Sequence, residues 1–525
     1  MPLPADAHPD DAPARTMTDA RLLQDYARRT LTARVYDVAI ESPLAAAPQL
    51  SRRLDNRVLL KREDLQPVFS FKVRGAYNKI VLLPEEQRAR GVIAASAGNH
   101  AQGVALAAQA LGMRAVIVMP QTTPEIKVSS VKQRGAKVVL HGDTFDEAYV
   151  YARELEKEKG YVFVHPYDDP DVIAGQGTIA MEILRQHPDA IDAVFIPVGG
   201  GGIVAGMAAY IKYLRPEIRV IGVEPEDAAC LQAALAAKKR VVLPEVGLFA
   251  DGVAVAQIGE ETFRVARHTV DEVITASTDE ICAAIKDFFE ETRSIAEPAG
   301  ALAIAGMKNW IAREGSRGKT FVAVASGANM NFDRLRHISE RTELGEKREA
   351  ILAVTIPERP GAFKAFCHVL GKRNITEFNY RYSGSERADV FVGLQLAKPA
   401  DRAALVETLQ QRQYPVIDMT DNEMAKLHVR YMVGGHPPPT GKQEIIYRFE
   451  FPERPGALMK FLDRLGQRWN ISMFHYRNHG ADFGRVLAGF QVDSGERGTV
   501  EESLRELGYP FSDESGNPAF ALFLK

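Results

Sequence analysis

The sequence predicts a large α/β domain followed by a pair of small α+β modules. Three observations carry this. From about residue 57, short apolar runs alternate with amphipathic stretches; the character changes near residue 342; and beyond that point one pattern occurs twice. At 525 residues the chain is too long for one ordinary domain.

The alternation is regular. Val92–Ala95 precedes a helical stretch from His100 to Leu111. Ala115–Val118 precedes Glu125 to Arg134, and Lys137–Leu140 precedes a charged helix from Phe145 to Lys159. Val194–Pro197 precedes Ile203 to Tyr213, and Val220–Val223, Val273–Ile274 and Phe321–Val324 continue the series. Uninterrupted apolar strands between helices indicate parallel strands covered on both faces.

Thr342 to Glu349 reads as a charged connector. Beyond it, residues 356–381 read IPERPGAFKAFCHVLGKRNITEFNYR and residues 451–477 read FPERPGALMKFLDRLGQRWNISMFHYR. Each unit predicts strand, Pro-Gly turn, amphipathic helix, Asn-Ile turn and strand. Phe363, Phe366, Val369 and Leu370 keep the spacing of a buried helical stripe. Two copies are too few for a solenoid and suit paired modules with antiparallel sheets. The expected division is a disordered extension over 1–16, a catalytic domain over 17–341, a connector over 342–350, and modules over 351–432 and 445–525.

Composition narrows the function classes. A formal net charge of -3 provides no basic field for nucleic acid. Cys230, Cys282 and Cys367 are odd in number, far apart and form no Cys-x-x-Cys pair. That argues against a disulfide framework and a zinc site, and fits a reducing cytoplasm, with each thiol buried and inert. No metal is expected. The first 16 residues have no apolar segment for a secretory signal, and their acidity disfavours a transit peptide; Met17 is an alternative start. Val104 to Met119 is interrupted by Gln109 and Arg114, so it reads as helix then strand, not as a membrane span.

Four segments carry candidate chemistry. In Ser70–Gly75, Lys72 opens a helical stretch beginning near Arg74. A helix start and the neighbouring cation both disfavour a protonated amine, and a Schiff-base enzyme needs a neutral one. Alone, such a lysine reads as solvated surface. Ser96–Gly103 joins a strand to a helix, where small residues let backbone amides approach a carboxylate; the same residues also make a tight turn capped by Asn99 or His100. Val198–Ile203 contains Gly199, Gly200, Gly201 and Gly202, whose amides can cradle an anion. Gly200, Gly202 and Ala205 also fit G-x-G-x-x-A, with Glu224 about where a ribose-binding acid belongs, so this segment leaves dinucleotide binding open. Ser326–Asn329 follows a strand; Ser326 is placed to hydrogen-bond a ring nitrogen or to cap an ordinary turn. Glu297–Ala301, at a helix start, is equally ambiguous.

Together and in this order, the four segments resemble fold-type II pyridoxal-phosphate (PLP) enzymes, most closely the biosynthetic threonine ammonia-lyases (threonine dehydratases). The resemblance runs from about Val35 to Lys525. It includes Lys61–Asp64, Ala174–Thr178, Gly222–Pro225, Phe249–Val255 and Glu297–Ala301, and its tail is similar to tandem ACT-like modules. It implies a catalytic domain of two open α/β subdomains. It implies that Lys72 carries PLP, Phe71 lies beside the ring, Asn99 contacts the 3′-oxygen, Gly199–Gly202 hold the phosphate and Ser326 meets the pyridine nitrogen. The loop Ser96, Ala97, Gly98, Asn99, His100 takes the substrate carboxylate. Lys72 is then both carrier and general base, and the phosphate is the candidate acid for the departing hydroxyl.

The implied reaction converts L-threonine to 2-oxobutanoate and ammonia, the first step of isoleucine biosynthesis, with some turnover of L-serine because one methyl discriminates weakly. The tail implies isoleucine as inhibitor and valine as activator, and the family implies a homotetramer, in the cytoplasm that the cysteines fit. Candidate effector contacts are Asn379, Tyr380, Arg381, His475, Tyr476 and Arg477, the matched ends of the repeats, where a hydroxyl and a guanidinium can bind a carboxylate; aromatic residues alternating in a strand equally pack a core. Two competing readings leave motifs idle. An NAD-dependent oxidoreductase ignores Lys72 and Ser326. A non-catalytic amino-acid sensor explains the tail alone. Within the PLP enzymes, serine dehydratase or racemase is the nearest rival, because threonine and serine differ by one methyl.

Overall fold

The computed structural model describes residues 17–357, 365–366, 369–370, 373, 375–380, 387–429, 443–452, 460–461, 465, 469–477, 483–493 and 495–524; strands Ile375–Tyr380 and Asn470–Arg477 are described by their backbone. The expected extension over 1–16 and Cys367 lie outside these residues.

The catalytic region contains two sheets. The larger has six strands in the order Leu44–Ala46, Arg57–Arg62, Thr320–Ala325, Ala193–Pro197, Arg219–Pro225, Glu272–Ala276. All pair in parallel except the first. The smaller, wholly parallel, runs Lys137–Leu140, Ala115–Met119, Val92–Ala95, Val162–Phe163. Every apolar run read as a strand forms one, and both sheets are covered on two sides. In Thr320–Ala325, Phe321, Ala323 and Ala325 enter one core, whereas Val322 and Val324 enter the other. In the smaller sheet Val92 and Ala94 face one core and Ile93 and Ala95 a second. This two-sided burial is why the strands read as continuous rather than alternating.

Two helices join the sheets by close backbone approach. A Cβ added to Gly175, in helix Pro170–Gln186, would lie 2.7 Å from the Cα of Gly75 in helix Lys72–Val81. Beside that contact is a fully buried ionic cluster. Arg74 bonds Glu63 (2.7 Å) and Glu182 (2.6 Å), and Lys61 also bonds Glu182 (2.6 Å). Each charge is paired, the condition under which buried ions are tolerated.

The segment read as a charged connector is ordered. Helix Arg334–Gly345 runs into it, and the next strand, Glu349–Pro357, begins in it. Each module then forms a four-stranded antiparallel sheet. The first has the order Ile375–Tyr380, Arg387–Gln395, Glu349–Pro357, Val416–Asp418; the second has Asn470–Arg477, Phe483–Val492, Gln443–Pro452, Phe511–Asp513. The repeat extends to irregularities: register shifts fall between Ile375 and Glu377 and, at the matching position, between Ile471 and Met473. Phe366 and Leu370 of the predicted helical stripe lie in the first module's core. Ile351, Ala353 and Phe391 pack with Ile446, Leu487, Phe520 and Phe523, which joins the modules.

Candidate active site

Lys72, Asn99, Gly199–Gly202 and Ser326 follow the carboxyl ends of four strands, and one pocket between the two sheets is lined by all of them together with Phe71. Crevices at strand carboxyl ends are where open α/β sheets bind ligands. Ser96, Ala97, Gly98 and His100, expected beside the substrate carboxylate, do not line this pocket. Ser96 accepts a hydrogen bond from the Gly98 amide at 3.2 Å, and the buried His100 ring bonds the Val164 carbonyl at 2.8 Å through Nε2. Burial, helped by the charge of Lys72, pushes His100 down to about 3. It is a neutral core histidine, and only its backbone faces the loop.

Lys72 begins helix Lys72–Val81, two residues before the expected start, and its Nζ donates to the Pro166 carbonyl at 2.9 Å. Desolvation pushes the amine down to about 8, against the opposing pull of Glu297. The neighbouring cation, Arg74, does not face the amine. Arg74 is instead turned into the ionic cluster with Glu63 and Glu182, so burial does this work.

The glycine run has little room for side chains. Added Cβ atoms would sit 2.2 Å from the Tyr167 ring at Gly200, 2.6 Å from Ile258 at Gly201 and 2.9 Å from the Val253 backbone at Gly199. Gly201 has φ of 92°, which L side chains rarely adopt. Helix Gly202–Leu214 starts here, so amide groups and a helix N-terminus converge on one point. Glu224, the acid that kept dinucleotide binding open, accepts from the amides of Leu231 (2.7 Å) and Gln232 (2.9 Å). It caps helix Cys230–Ala237 instead of facing the cradle.

At the opposite wall Ser326 donates through Oγ to the Ala299 carbonyl at 3.1 Å. Its carbonyl accepts from the Phe71 amide at 3.2 Å, and Ser70 bridges to Gly327, so the lysine and serine segments are tied to one another. Asn99 is fixed on both sides: its Oδ1 accepts from Asn329 Nδ2 at 2.6 Å, and its Nδ2 donates to Glu297 Oε1 at 2.5 Å. That leaves one Nδ2 hydrogen for a ligand. Burial and the nearby Asp251 raise Glu297 to about 7. Glu297 and Gln176 line the pocket and were not among the expected site residues. The one sequence signal for Glu297 was an acid at a helix start, before Pro298. Gln176 lies mid-helix in a glycine-spaced run and had none of its own.

The pocket fits PLP. The cradle suits a phosphate, Asn99 offers a donor to a phenolic oxygen, and Gln176 Oε1 is a buried acceptor without a partner in the protein. The candidate effector residues are Asn379 and Tyr380, opposite Phe391 and Val390, and His475, Tyr476 and Arg477, opposite Leu487, Val486 and Arg485. They end the matched edge strands. Arg381 lies outside the described residues. Cys230 and Cys282 are buried, and desolvation pushes both thiols well up. Among the described residues no helix is long and apolar enough to cross a membrane.

Residues 35–327 match the family of pyridoxal-phosphate dependent enzymes, and the chain belongs to it. Residues 340–429 and 439–524 match the C-terminal regulatory domain of threonine dehydratase. The sequence is 55% identical over 503 residues to the L-threonine dehydratase biosynthetic IlvA of Burkholderia multivorans, covering 95% of this chain and 99% of that one. It is likewise 55% identical to that of Escherichia coli, over 95% and 97%. The catalytic part resembles the processed form of threonine deaminase isoform 2 from Solanum lycopersicum, with a TM-score of 0.60 and 51% identity over 61% of this chain and 93% of that one. Within the PLP enzymes the chain is therefore a member of the biosynthetic threonine dehydratases.

Proposed function

We propose that the chain removes water and then ammonia from L-threonine to give 2-oxobutanoate, with L-serine as a slower substrate, and that isoleucine inhibits and valine restores this activity through the paired modules. The observation that carries the reading is Lys72: an amine pushed down to about 8, sharing one pocket with Asn99, the glycine cradle and Ser326.

Bound PLP supplies a carbonyl for an amine and a conjugated ring that spreads carbanionic charge. The rest belongs to the protein. Lys72, whose amine burial holds well below the usual lysine range, takes the Cα proton of threonine. Gly199–Gly202 direct amides at the phosphate, and Asn99 offers its remaining hydrogen to the 3′-oxygen. With PLP bound, the Ser326 hydroxyl would turn its hydrogen from the Ala299 carbonyl to the ring nitrogen; as a weak acid it would leave that nitrogen largely unprotonated, which would favour loss of the β-hydroxyl over transamination. Cytoplasmic location and assembly as a homotetramer complete the proposal.

The test is a spectrum of the purified protein followed by L-threonine addition, with and without isoleucine. A violet-region band, 2-oxobutanoate formation and its suppression by isoleucine are expected. A colourless protein that stays inactive after added PLP refutes the lyase reading.

A further inference from the structure

A cavity of about 420 Å³ lies between the catalytic domain and the modules, and both walls carry charges of both signs, among them Arg334 and Arg341 on the catalytic side and Glu423 and Glu450 on the module side. On the catalytic side lie Glu226 and Asp227, in the turn after strand Arg219–Pro225. Among the described residues neither side chain is ion-paired, and partial desolvation raises both carboxyls. On the module side lie Arg448 and Arg485. Arg485 pairs across the sheet with Glu450, and Arg448 is two residues from Glu450, so both lie on one sheet face. Arg448 gives its Nε to Glu514 at 2.9 Å, whereas the carboxylate nearest Arg485 is Glu450 at 3.6 Å, too long for a hydrogen bond. Phe249 and Phe483 add apolar wall between the charged ends.

We propose that this interdomain cavity binds an apolar α-amino acid as its zwitterion, the ammonium toward Glu226 and Asp227, the carboxylate toward Arg448 and Arg485, and the side chain against Phe249 and Phe483. An anion alone leaves Glu226 and Asp227 without an ion partner, and a cation alone leaves Arg485 without a hydrogen-bonded carboxylate. The site rests on the reading of the modules as amino-acid sensors.

Its position gives it leverage. Helix Arg334–Gly345 borders the cavity. At its start Arg334 bonds the Phe249 carbonyl (3.1 Å) and Asp251 (3.3 Å), in the loop that brings Gly252 into the active-site pocket. Two turns on, Arg341 bonds Asp279 of the catalytic domain and Glu423 of the first module, and Lys426 closes the cluster on both acids. A ligand here contacts the loop and the modules together, which is what a coupling free energy between sites requires.

The test is calorimetric titration of the PLP-loaded protein with L-isoleucine and L-valine, counting sites per chain. Asp227→Asn and Arg485→Met should each abolish one class of site or weaken it at least about tenfold, the loss of a charge-assisted hydrogen bond. Arg485→Lys should retain most of the binding. If Arg485→Met loses its fold, Asp227→Asn carries the test. An unchanged site count with unchanged affinities in Asp227→Asn overturns the proposal, as does 3-methylpentanoate, which lacks the amine, binding as tightly as isoleucine. Loss of sites confined to Tyr380 and Tyr476 variants overturns this site while leaving the sensing role in place. Failure to make 2-oxobutanoate would refute the lyase reading separately, because the site count does not depend on turnover.

Discussion

Glu297 Oε1 lies 2.5 Å from Asn99 Nδ2, joining two residues 198 positions apart in one hydrogen bond at the edge of the PLP pocket. Asn329 holds the other end of the same amide. Glu297→Ala should leave a hydrogen of Asn99 unsatisfied, at about 1–3 kcal/mol. The expected outcome is weaker PLP retention and a lower kcat, with a smaller loss for Glu297→Gln. Dialysis against buffer without PLP, followed by activity, measures it. Equal retention in all three proteins would remove Glu297 from the site.

Lys72→Ala should abolish threonine turnover, and substantial steady-state deamination by that variant would refute the assignment. In the unmodified apoprotein the sign of the pH effect follows from the amine. Below about 8 it is mostly protonated and above it mostly neutral. PLP uptake should therefore quicken as pH rises through that value, as stopped-flow absorbance would show.

Gly200→Ala places a Cβ 2.2 Å from the Tyr167 ring. Overpacking of this kind costs about 1–3 kcal/mol. PLP affinity should fall and be partly restored by Tyr167→Ala, which removes the clash. Titration with PLP in the two single variants and the double one separates crowding from a lost ligand contact.

Ser326→Asp should protonate the ring nitrogen and raise side reactions relative to 2-oxobutanoate. An unchanged product spectrum, measured by chromatography after threonine exhaustion, would count against the role given to the Ser326 hydroxyl.

Tyr380→Leu should raise the isoleucine concentration needed for half-inhibition. Asn379 and Tyr380 end the first module's edge strand as His475 to Arg477 end the second's. Inhibition curves on both Tyr380→Leu and Tyr476→Leu would show whether the repeats contribute unequally; an unshifted curve removes that tyrosine from the effector site.

The strands were legible because burial on both faces writes continuous apolar runs, and the repeat was legible because its sequence matches. The cofactor motifs were legible because glycines without room for a Cβ and a lysine opening a helix have few substitutes. The inward turn of the His100 ring was not legible, because a polar residue in a conspicuous loop can turn either way and its bond to Val164 depends on the smaller sheet. Glu297 was passed over because its partner, Asn99, is distant in sequence. The cause of the lysine shift was misattributed for a similar reason: Arg74 is two residues from Lys72, yet its partners are Glu63 and Glu182.

The strand order of the larger sheet has a consequence for synthesis. Thr320–Ala325 lies between Arg57–Arg62 and Ala193–Pro197, so an interior strand is the last of the six to leave the ribosome. Until it arrives, the nascent chain holds two apolar edges apart with nothing to pair them, a state exposed to aggregation and chaperone capture. The same strand delivers Ser326, so completion of the sheet and completion of the cofactor pocket are one event in the life of the chain.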